Sequence, residues 1–323
     1  MDLHCIDKEM LRFGEIFEEV LHTNVPLAEN VIRYFLDKRG KQLRPVLTLL
    51  SAKIVAGEVR QQSIYGAVAV ELLHNASLMH DDVVDESAER RGRATINNVW
   101  GNKVAVLTGD FFLAKCLLCS NLIGSLEVSK ELGLMVTALS EGELEQLSNA
   151  QNHLFDEEAY YRVIKGKTAS LFAACLRIGA RSVGASSEEI QKMHEIGEKI
   201  GMIFQIRDDI FDYYPQTEEV GKPTGHDIME GKVTLPLLYA FQHAPEDLNA
   251  RMRSLLINNN IGLAQNEVET LVEFAKEMGG IEYAQKKMLQ LSNEAKEILV
   301  SFPESEARET LLNVIDYFVS RNS

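Results

Sequence analysis

The sequence has few of the residues that interrupt helices or cross-link a chain. Only 7 prolines and 21 glycines occur in 323 residues, so long stretches lack a helix breaker and the composition favours helix. There are 4 cysteines, Cys5 and Cys175 alone and Cys116 close to Cys119. This number and spacing exclude a disulfide framework and supply no second pair of zinc ligands. We interpret all of them as buried thiols of a protein in a reducing compartment.

The chain also lacks an excess of basic residues and an uninterrupted apolar run. Its 33 Lys and Arg are outnumbered by 48 Asp and Glu, a formal net charge of −15. That balance disfavours a general nucleic-acid surface, so an anionic ligand would have to rely on local basic clusters or metal ions. No segment approaches the ~20 consecutive apolar residues that span a bilayer, and no apolar signal core is present at the N-terminus. We expect a soluble cytoplasmic protein that binds no nucleic acid.

Helical periodicity of apolar residues runs through almost the whole sequence. We predict about four helices between 232 and 320 and eight before them, over residues 4–22, 26–38, 45–56, 62–85, 101–123, 126–151, 156–181 and 186–213. With 46% hydrophobic residues the chain can bury a large core. Because no linker, repeat or strand-rich block is visible, we predict a single all-α domain over residues 1–323.

The acidic end of the helix predicted over 62–85 is the most unusual stretch. Asp81, Asp82 and Asp85 close an apolar run there, and Asp81 and Asp85 share a helix face because they are one turn apart. Burying like charges without a counter-ion costs several kcal/mol. The carboxylates are therefore either solvated at an exposed helix end or part of a Mg²⁺ site, in which carboxylate oxygens and substrate phosphates share the cation.

The same spacing recurs in Asp208, Asp209 and Asp212, at the end of the helix predicted over 186–213. Chance poorly explains two such clusters at the ends of two core-type helices. If these helices lie side by side, all these carboxylates face one cavity, which is self-repelling unless divalent cations, or cations with a polyphosphate, occupy it. The recurrence therefore favours a site for several Mg²⁺ ions over solvated helix ends.

Two basic segments are candidate ligands of a phosphate. Lys41 and Arg44 follow a glycine at the start of the helix predicted over 45–56, where free backbone N–H groups also suit an anion; solvated side chains are the alternative. Lys222 and Lys232 lie in a Gly- and Pro-rich loop after the second aspartate cluster. We interpret this loop as a flap over an anionic ligand, with a plain solvated connection as the alternative.

Two single residues inside apolar patterns admit more than one interpretation. Gly166 interrupts the helix predicted over 156–181, which indicates a kink or a close approach to a ligand. His74 precedes Asp81 by two helical turns and lies on roughly the same face. On the histidine alone, a hydrogen-bonded core side chain is favoured over a ligand.

Taken together, these motifs resemble those of the trans-isoprenyl diphosphate synthases, the polyprenyl synthetase family, along nearly the full length of the chain. The one departure is Arg39, which replaces the first of two glycines that the family usually has, while Lys41 and Arg44 stay in place. The motifs that carry the resemblance are Asp81-Asp82-Val83-Val84-Asp85 with Arg90-Arg91-Gly92, Lys167-Thr168, Phe204-Gln205, Asp208-Asp209-Ile210-Phe211-Asp212, Gly221-Lys222, and Gly231-Lys232-Val233-Thr234-Leu235-Pro236.

The resemblance implies the isoprenoid synthase fold, a single large helical bundle around a central cavity, and a prenyltransferase that condenses isopentenyl diphosphate with an allylic diphosphate. The allylic C–O bond would ionise, the isopentenyl double bond would add, and a proton would be lost. The metal ligands implied are Asp81, Asp85 and Asp208, with Asp82, Asp209 and Asp212 as inner or outer shell. The allylic diphosphate would bind Arg90, Lys167, Lys222 and Lys232. Isopentenyl diphosphate would bind Lys41, Arg44, His74, Arg91 and Phe204, and the carbocation would lie near Thr168 and Gln205.

Product length is predicted from the side chains just before Asp81. Ala76 and Ser77 are both small, whereas short-chain relatives often carry an aromatic residue near there or insert two residues in the first aspartate motif. If the growing tail follows this helix face, the product is a long all-trans chain of about seven to ten isoprene units, of the kind used as a quinone side chain. A deeper floor formed by Leu132, Met135 or Val136 would stop the chain earlier.

Three other functions remain open at this point. A farnesyl or geranylgeranyl diphosphate synthase would perform the same chemistry and stop early. A terpene cyclase or head-to-head synthase would lack the isopentenyl diphosphate site, which argues against it. A non-catalytic subunit of a two-chain synthase would be expected to have lost aspartates. The resemblance alone also implies a homodimer, and the greasy product suggests transient membrane contact for its release.

Overall fold

The computed structural model describes residues 2–37, 40–90, 92–151, 155–214, 224–257 and 263–320. Within these ranges the chain is almost entirely helical. The only strands there are β1 (Glu89–Arg90) and β2 (Arg93–Ala94), which pair antiparallel as a short hairpin. The prediction of an all-α fold is confirmed.

A single-turn 3₁₀ helix (His4–Ile6) precedes the α-helices, which in chain order are α1 (Asp7–Leu21), α2 (Pro26–Asp37), α3 (Leu43–Ala56), α4 (Gln61–Val84), α5 (Ile96–Trp100), α6 (Asn102–Ile123), α7 (Leu126–Gln151), α8 (Glu157–Ile164), α9 (Ser170–Ser182), α10 (Ser187–Phe211), α11 (His226–Met229), α12 (Leu235–His243), α13 (Glu246–Ile257), α14 (Gln265–Glu277), α15 (Gly280–Leu299) and α16 (Glu306–Ser320).

The structure corrects the predicted helices in three places. The segment predicted as one helix over 156–181 is α8 and α9 joined by a π-helical turn, Lys165–Ala169. Five helices, α12–α16, follow residue 232 among the described residues, where about four were predicted. The hairpin, α5 and α11 were not predicted, because elements of two to five residues are too short to show a period in the sequence.

The π-helical turn explains the glycine that interrupts this segment. A Cβ added to Gly166 would lie 3.3 Å from the Cα of Gly142 on α7, and a Cβ added to Gly142 would lie 2.7 Å from the backbone nitrogen of Lys167. Two glycines thus let α7 contact the turn backbone to backbone. The predicted irregularity at Gly166 is confirmed, and the close neighbour observed is another helix.

The chain forms two compact units, each assembled from segments that are distant in sequence. Unit 1 comprises Met1–Val136, Leu171–Gly197 and Glu297–Val314. Unit 2 comprises Thr137–Ser170, Glu198–Lys296 and Ile315–Ser323. The single domain over residues 1–323 stays a prediction.

Helix α4 is the centre of unit 1. It packs along α6 and also against α3 and α1, so its middle turns are buried nearly all round. Val68 and Leu72 are fully buried, and burial stabilises a side chain of this size by about 1.5–3 kcal/mol. Close packing extends to α9, because a Cβ added to Gly66 would lie 2.6 Å from Ile178. Packing therefore holds α4 up to the turn that carries the first aspartate cluster.

In unit 2, α12 packs against α14 and α8. Gly280 at the start of α15 permits this core to close, because a Cβ there would lie 2.1 Å from the carbonyl oxygen of Pro236. The end of α10 is buried through Ile206 and Ile210, and Tyr213 just beyond the helix is buried as well. This packing fixes the end of α10, where the second aspartate cluster contacts His226 and Asp227.

Helix α6 has an apolar side that is exposed. Within the described part of the chain it alone is long and apolar enough to cross a membrane by length and composition. Its sequence contains no uninterrupted apolar run, because Lys103, Asp110 and Lys115 lie between the apolar residues. One side packs on α4, while the other exposes four leucines, which we call the α6 face: Leu107 (67% exposed), Leu117 (62%), Leu118 (57%) and Leu122 (55%).

All four cysteines are free and buried. Burial raises the pKa of Cys116 to about 12 and that of Cys119 to about 11. Neutral thiols in an apolar environment are poor metal ligands. The interpretation of the cysteines as buried thiols is confirmed.

Candidate active site

Unit 2 contains a cavity of about 150 Å³. Its wall is formed by α7, α8, the π-helical turn, α10 and the residues around α11. Five residues predicted from the sequence line it, together with Asp227 and Tyr160, which were not predicted: Lys167, Thr168, Gln205, Asp209 and Lys232. The structure therefore brings together candidate residues from three separate segments.

A chain of hydrogen bonds connects three of these residues and Tyr160. The Tyr160 hydroxyl donates to Oδ2 of Asp209 at 2.6 Å, and Nε2 of Gln205 donates to Oδ1 of Asp209 at 2.8 Å. The Thr168 hydroxyl donates to Oε1 of Gln205 at 2.7 Å. These hydrogen bonds determine that the oxygen of the Gln205 amide faces Thr168 and that its nitrogen faces Asp209. Because the Thr168 hydrogen is used in this bond, the remaining lone pairs of its oxygen are available to a positive charge.

Burial of Asp209 sets the electrostatics of the cavity. Burial, and next the neighbouring carboxylate of Asp227, raise the pKa of Asp209 to about 8, although the hydrogen bonds from Tyr160 and Gln205 lower it. Burial also raises the pKa of the Tyr160 phenol. Carboxylates that repel one another in a buried wall favour a cation beside them.

Asp212 holds the backbone of the residues that follow the cluster. Its Oδ1 accepts the backbone N–H of His226 and its Oδ2 that of Asp227, both at 3.0 Å. Burial, and next Asp227, raise the pKa of Asp212 to about 6, while these two backbone hydrogen bonds lower it. The carboxylate is thus used to fasten the chain around α11.

Asp208 has a cationic neighbour, Arg207, that was not singled out from the sequence. Nη2 of Arg207 donates to Oδ1 of Asp208 at 3.0 Å, and the Arg207 side chain is only 5% exposed. Its guanidinium carbon lies 4.9 Å from the ring centre of Phe204, 5.6 Å from that of Phe211 and 5.4 Å from that of Phe318. These rings hold the arginine in place. Phe204 itself packs edge-on against Phe318, with ring centres 5.8 Å apart.

Both lysines of the cavity are paired with glutamates. Nζ of Lys167 lies 2.5 Å from Oε2 of Glu143, and Nζ of Lys232 lies 2.6 Å from Oε2 of Glu230. An anionic ligand at either lysine would compete with a partly exposed carboxylate. Neither glutamate was singled out from the sequence, where each is one acidic residue among many.

In unit 1 the first aspartate cluster lies at the end of α4. Asp82 is buried, and Nε of Arg90 donates to its Oδ1 at 2.7 Å. Asp81 is half-buried and Asp85 is exposed. Arg90, predicted as a ligand of the allylic diphosphate, is therefore paired here with the middle aspartate of the cluster.

The hairpin that carries Arg90 is fastened to α2. The guanidinium carbon of Arg93 lies 3.5 Å from the ring centre of Tyr34, and its Nη1 lies 3.1 Å from Asp37. The Tyr34 hydroxyl donates to the carbonyl oxygen of Ala94 at 2.7 Å. These contacts fix the strands that position Arg90, next to a second cavity of about 100 Å³ that also borders Asp82.

The residues predicted to bind isopentenyl diphosphate in unit 1 lie at the start of α3 and in the middle of α4. Lys41 is exposed, and the guanidinium carbon of Arg44 lies 5.2 Å from the ring centre of Phe172. His74 is buried, and its carbonyl oxygen accepts the Ser77 hydroxyl at 2.9 Å. Ala76 is fully buried.

The candidates for a deeper floor differ in burial, since Leu132 and Met135 are buried whereas Val136 is 36% exposed. Of the other predicted site residues, Arg91 and Lys222 lie outside the described residues, as do Arg39 and Gly221.

The carboxylates fit a hard divalent cation by their chemistry. Among the described residues no three His, Cys, Asp or Glu side chains form a group that would hold a metal by themselves. Mg²⁺ often needs only one or two carboxylates, because substrate phosphates and water complete its shell. Burial raises the pKa of Asp209, which means that the site disfavours the ionised carboxylate, and a cation beside it would stabilise that ionised form.

Comparison with known proteins identifies the family of this chain. The family model described as polyprenyl synthetase matches residues 25–277. This chain belongs to the polyprenyl synthetase family. It is a prenyltransferase that makes prenyl diphosphates, as the aspartate motifs predicted.

Three relatives illustrate the range of the family. The octaprenyl diphosphate synthase of Escherichia coli K12 is 34% identical over 304 residues, which cover 94% of this chain and 93% of that protein. The polyprenyl synthase of Caulobacter crescentus CB15, solved with calcium and isoprenyl diphosphate, is 29% identical with a TM-score of 0.91 and covers 99% of this chain and 97% of the other. The geranylgeranyl pyrophosphate synthase of Bacteroides thetaiotaomicron is 38% identical with a TM-score of 0.83 and covers 98% and 97%. The predicted isoprenoid synthase fold is thereby confirmed.

Proposed function

We propose that this polyprenyl synthetase condenses isopentenyl diphosphate with an allylic diphosphate and releases a long-chain all-trans polyprenyl diphosphate. The observation that carries the proposal is the cavity of unit 2. There, two lysines suited to a diphosphate lie in the same wall as the Thr168–Gln205 pair, whose oxygens suit a carbocation.

The allylic diphosphate would be bound by Lys167 and Lys232, with Arg90 and Lys222 as further cations. On binding, the diphosphate would displace Glu143 and Glu230 from the two lysines. The negative charge of the diphosphate would then be neutralised by lysines that the cavity already holds in position. Spreading the charge of the leaving diphosphate over these cations favours ionisation of the allylic C–O bond.

We propose Mg²⁺ as the cofactor, several ions per site, with Asp81, Asp85 and Asp208 as the main donors. The exposed carboxylates of Asp85 and Asp208 (43% for the latter side chain) support this choice. The calcium in the Caulobacter crescentus structure supports a divalent cation in this family. When bound, Mg²⁺ would neutralise charge that develops on the leaving diphosphate.

For isopentenyl diphosphate we propose Lys41, Arg44, His74 and Arg91 as ligands of the diphosphate, with Phe204 beside the hydrocarbon. Arg44 at the start of α3 offers a planar guanidinium whose position is supported by the Phe172 ring. The double bond would attack the cation near Thr168 and Gln205, and the released diphosphate would then take the proton. The residues around α11 would exclude water, which otherwise converts the cation to an alcohol.

Product length is proposed from Ala76, whose small side chain is fully buried, because an aromatic residue at this position would be expected to stop the chain early. The likeness to an octaprenyl diphosphate synthase supports a long chain. The likeness to a geranylgeranyl pyrophosphate synthase favours the second candidate, a short-chain synthase with the same chemistry.

We further propose that the enzyme is a homodimer joined through the α6 face. Four exposed leucines between Leu107 and Leu122 on one helix form an apolar surface of the kind that marks an interaction site. The proposal also includes a cytoplasmic location, transient membrane contact for product release, and use of the product as a quinone side chain.

The proposed reaction is tested by mixing the protein with labelled isopentenyl diphosphate, an allylic diphosphate and Mg²⁺, and measuring transfer of label into product. We expect transfer that needs both diphosphates and stops with a chelator. Asp81→Ala combined with Asp208→Ala should abolish it. Transfer that survives in this double variant would contradict the proposed roles of the aspartates.

A further inference from the structure

We propose that Asp212, the last aspartate of the second cluster, is a positioning residue that fastens residues 225–234 to the end of α10, and that it does not bind metal. We call residues 225–234 the α11 segment. This inference rests on the proposed function, since it assigns Asp212 a part in the same reaction.

Three hydrogen bonds join Asp212 to three successive residues. The carboxylate accepts the backbone N–H groups of His226 and Asp227, one on each oxygen and both at 3.0 Å. The Asp212 carbonyl oxygen accepts the N–H of Gly225 at 2.8 Å. A carboxylate that receives one N–H on each oxygen is oriented by both bonds, and those N–H groups supply much of the compensation that a cation would otherwise give.

The α11 segment is built to keep this position. Gly225 has a φ of +76°, and a Cβ there would lie 2.3 Å from Val268 on α14, so only glycine fits. At the other end of the segment the hydroxyls of Tyr213 and Thr234 are 3.0 Å apart. Within it, the N–H of Lys232 donates to the carbonyl oxygen of Asp227 at 2.8 Å. Asp212 and Tyr213, neighbours in sequence, thus hold both ends.

The segment carries side chains that the reaction needs. Asp227, Gly231, Lys232, Val233 and Thr234 all line the cavity that contains Thr168 and Gln205. Movement of the segment would therefore move the Nζ of Lys232, the proposed ligand of the allylic diphosphate. The Asp208 side chain, by comparison, is 43% exposed and accepts a hydrogen bond from the Arg207 side chain. Asp208 and Asp212 share a motif but have different surroundings.

The kinetic consequence follows from this division of roles. Asp212→Ala should lower kcat/KM by about 10–100-fold, as is typical when an orienting partner is removed, with a raised KM for the allylic diphosphate. Asp212→Asn keeps one acceptor oxygen and should lose less. Because Asp212 acts through Lys232, Asp212→Ala should cost little more in a Lys232→Ala background, so the two effects should not be additive.

The deciding experiment is hydrogen exchange of peptides that cover residues 225–234, in the full-length protein with a chelator and without substrate. We expect Asp212→Ala to speed exchange there by at least about tenfold, Asp212→Asn to have a smaller effect, and Asp208→Ala to leave exchange unchanged. Calorimetric titration with Mg²⁺ and inorganic diphosphate provides the second readout. Asp208→Ala should weaken Mg²⁺ binding much more than Asp212→Asn.

Unchanged exchange in both Asp212 variants, with Mg²⁺ binding weakened as much as in Asp208→Ala, would overturn the inference and return Asp212 to the metal. If Asp212→Ala does not fold, Asp212→Asn decides by the same two measurements. The exchange experiment does not depend on turnover. A protein that transfers no prenyl group would contradict the proposed function. The exchange and titration results would still decide the role of Asp212.

Discussion

The bond between Tyr160 and Asp209 decides how the polar side of the cavity is arranged. Asp209 can orient Gln205 only while its own position is fixed, and the Tyr160 hydroxyl fixes it from the opposite side. Gln205 in turn receives the hydroxyl of Thr168. We infer that the polar atoms of Thr168 and Gln205, which we propose lie near the carbocation, are preorganised by Asp209 and Tyr160.

Tyr160→Phe tests this arrangement. The change leaves Oδ2 of the buried Asp209 without its donor, and we expect the free energy of unfolding to fall by about 1–3 kcal/mol. Urea unfolding followed by circular dichroism measures it. Tyr283→Phe is the matched control, because that hydroxyl donates to Glu157 at 2.7 Å from a more exposed position and its loss should cost less. Equal losses in both variants would contradict the special role of Tyr160.

The pKa of Asp209 predicts how stability depends on pH in the chelator-treated protein. The folded-state pKa of about 8 lies above the ordinary value of 3.8, so between these values the folded state holds a proton that the unfolded state has released. The free energy of unfolding must therefore fall as pH rises through this window. Asp212, with a pKa of about 6, contributes to the same fall in the free energy of unfolding in the lower part of this pH window. Thermal unfolding at pH 5 and pH 8 checks the sign, and Asp209→Asn should flatten most of the slope; an unchanged slope would exclude Asp209 as its source.

At the scale of elements, the contact between α7 and the π-helical turn places Lys167 and Thr168. Gly142→Ala puts a Cβ 2.7 Å from the backbone nitrogen of Lys167, so the turn must shift. We expect a loss of about 1–3 kcal/mol in the free energy of unfolding and reduced prenyl transfer. Gly133→Ala on the same helix meets no atom within 4 Å and should stabilise the helix by up to ~1 kcal/mol. If Gly142→Ala leaves the free energy of unfolding and prenyl transfer unchanged, the close contact between α7 and the π-helical turn is not required.

Long elements could be predicted from the sequence, and the short ones that shape the site could not. Helices such as α4 and α10 have many apolar positions in register, so their ends were placed within two residues. The hairpin and α11 owe their form to partners far along the chain or to a single carboxylate, as with Arg93 on Tyr34 and Asp212 on His226.

Most of the predicted site residues belong to a recurring cluster or to a motif. Asp208 and Asp209 stood out by their spacing. Tyr160 did not, because a tyrosine in an apolar helix gives no sign that its partner lies 49 residues away. Arg207 and Asp227 were likewise visible only once folding had brought their neighbours together.

At the scale of the whole molecule, the α6 face predicts self-association. Leu117→Glu with Leu118→Glu places two charges where a second copy would bury leucine, and we expect the dimer dissociation constant to rise by at least about tenfold. Sedimentation velocity measures it. Leu289→Glu, on another exposed leucine (52%), is the control and should leave the dimer intact. A wild-type protein that sediments as a monomer would contradict the dimer. If the wild type binds lipid vesicles and the double variant does not, the α6 face is instead a membrane-facing surface.

The measurement that tests the central claim most directly is the length of the product. The purified enzyme is incubated with Mg²⁺, isopentenyl diphosphate and a series of allylic primers, and the dephosphorylated products are sized by chromatography. We predict all-trans chains of about seven to ten isoprene units from the wild type, and shorter chains from Ala76→Phe, whose ring would block the helix face the tail follows. Wild-type chains that end at farnesyl or geranylgeranyl diphosphate, or an Ala76→Phe product of unchanged length, would contradict the account.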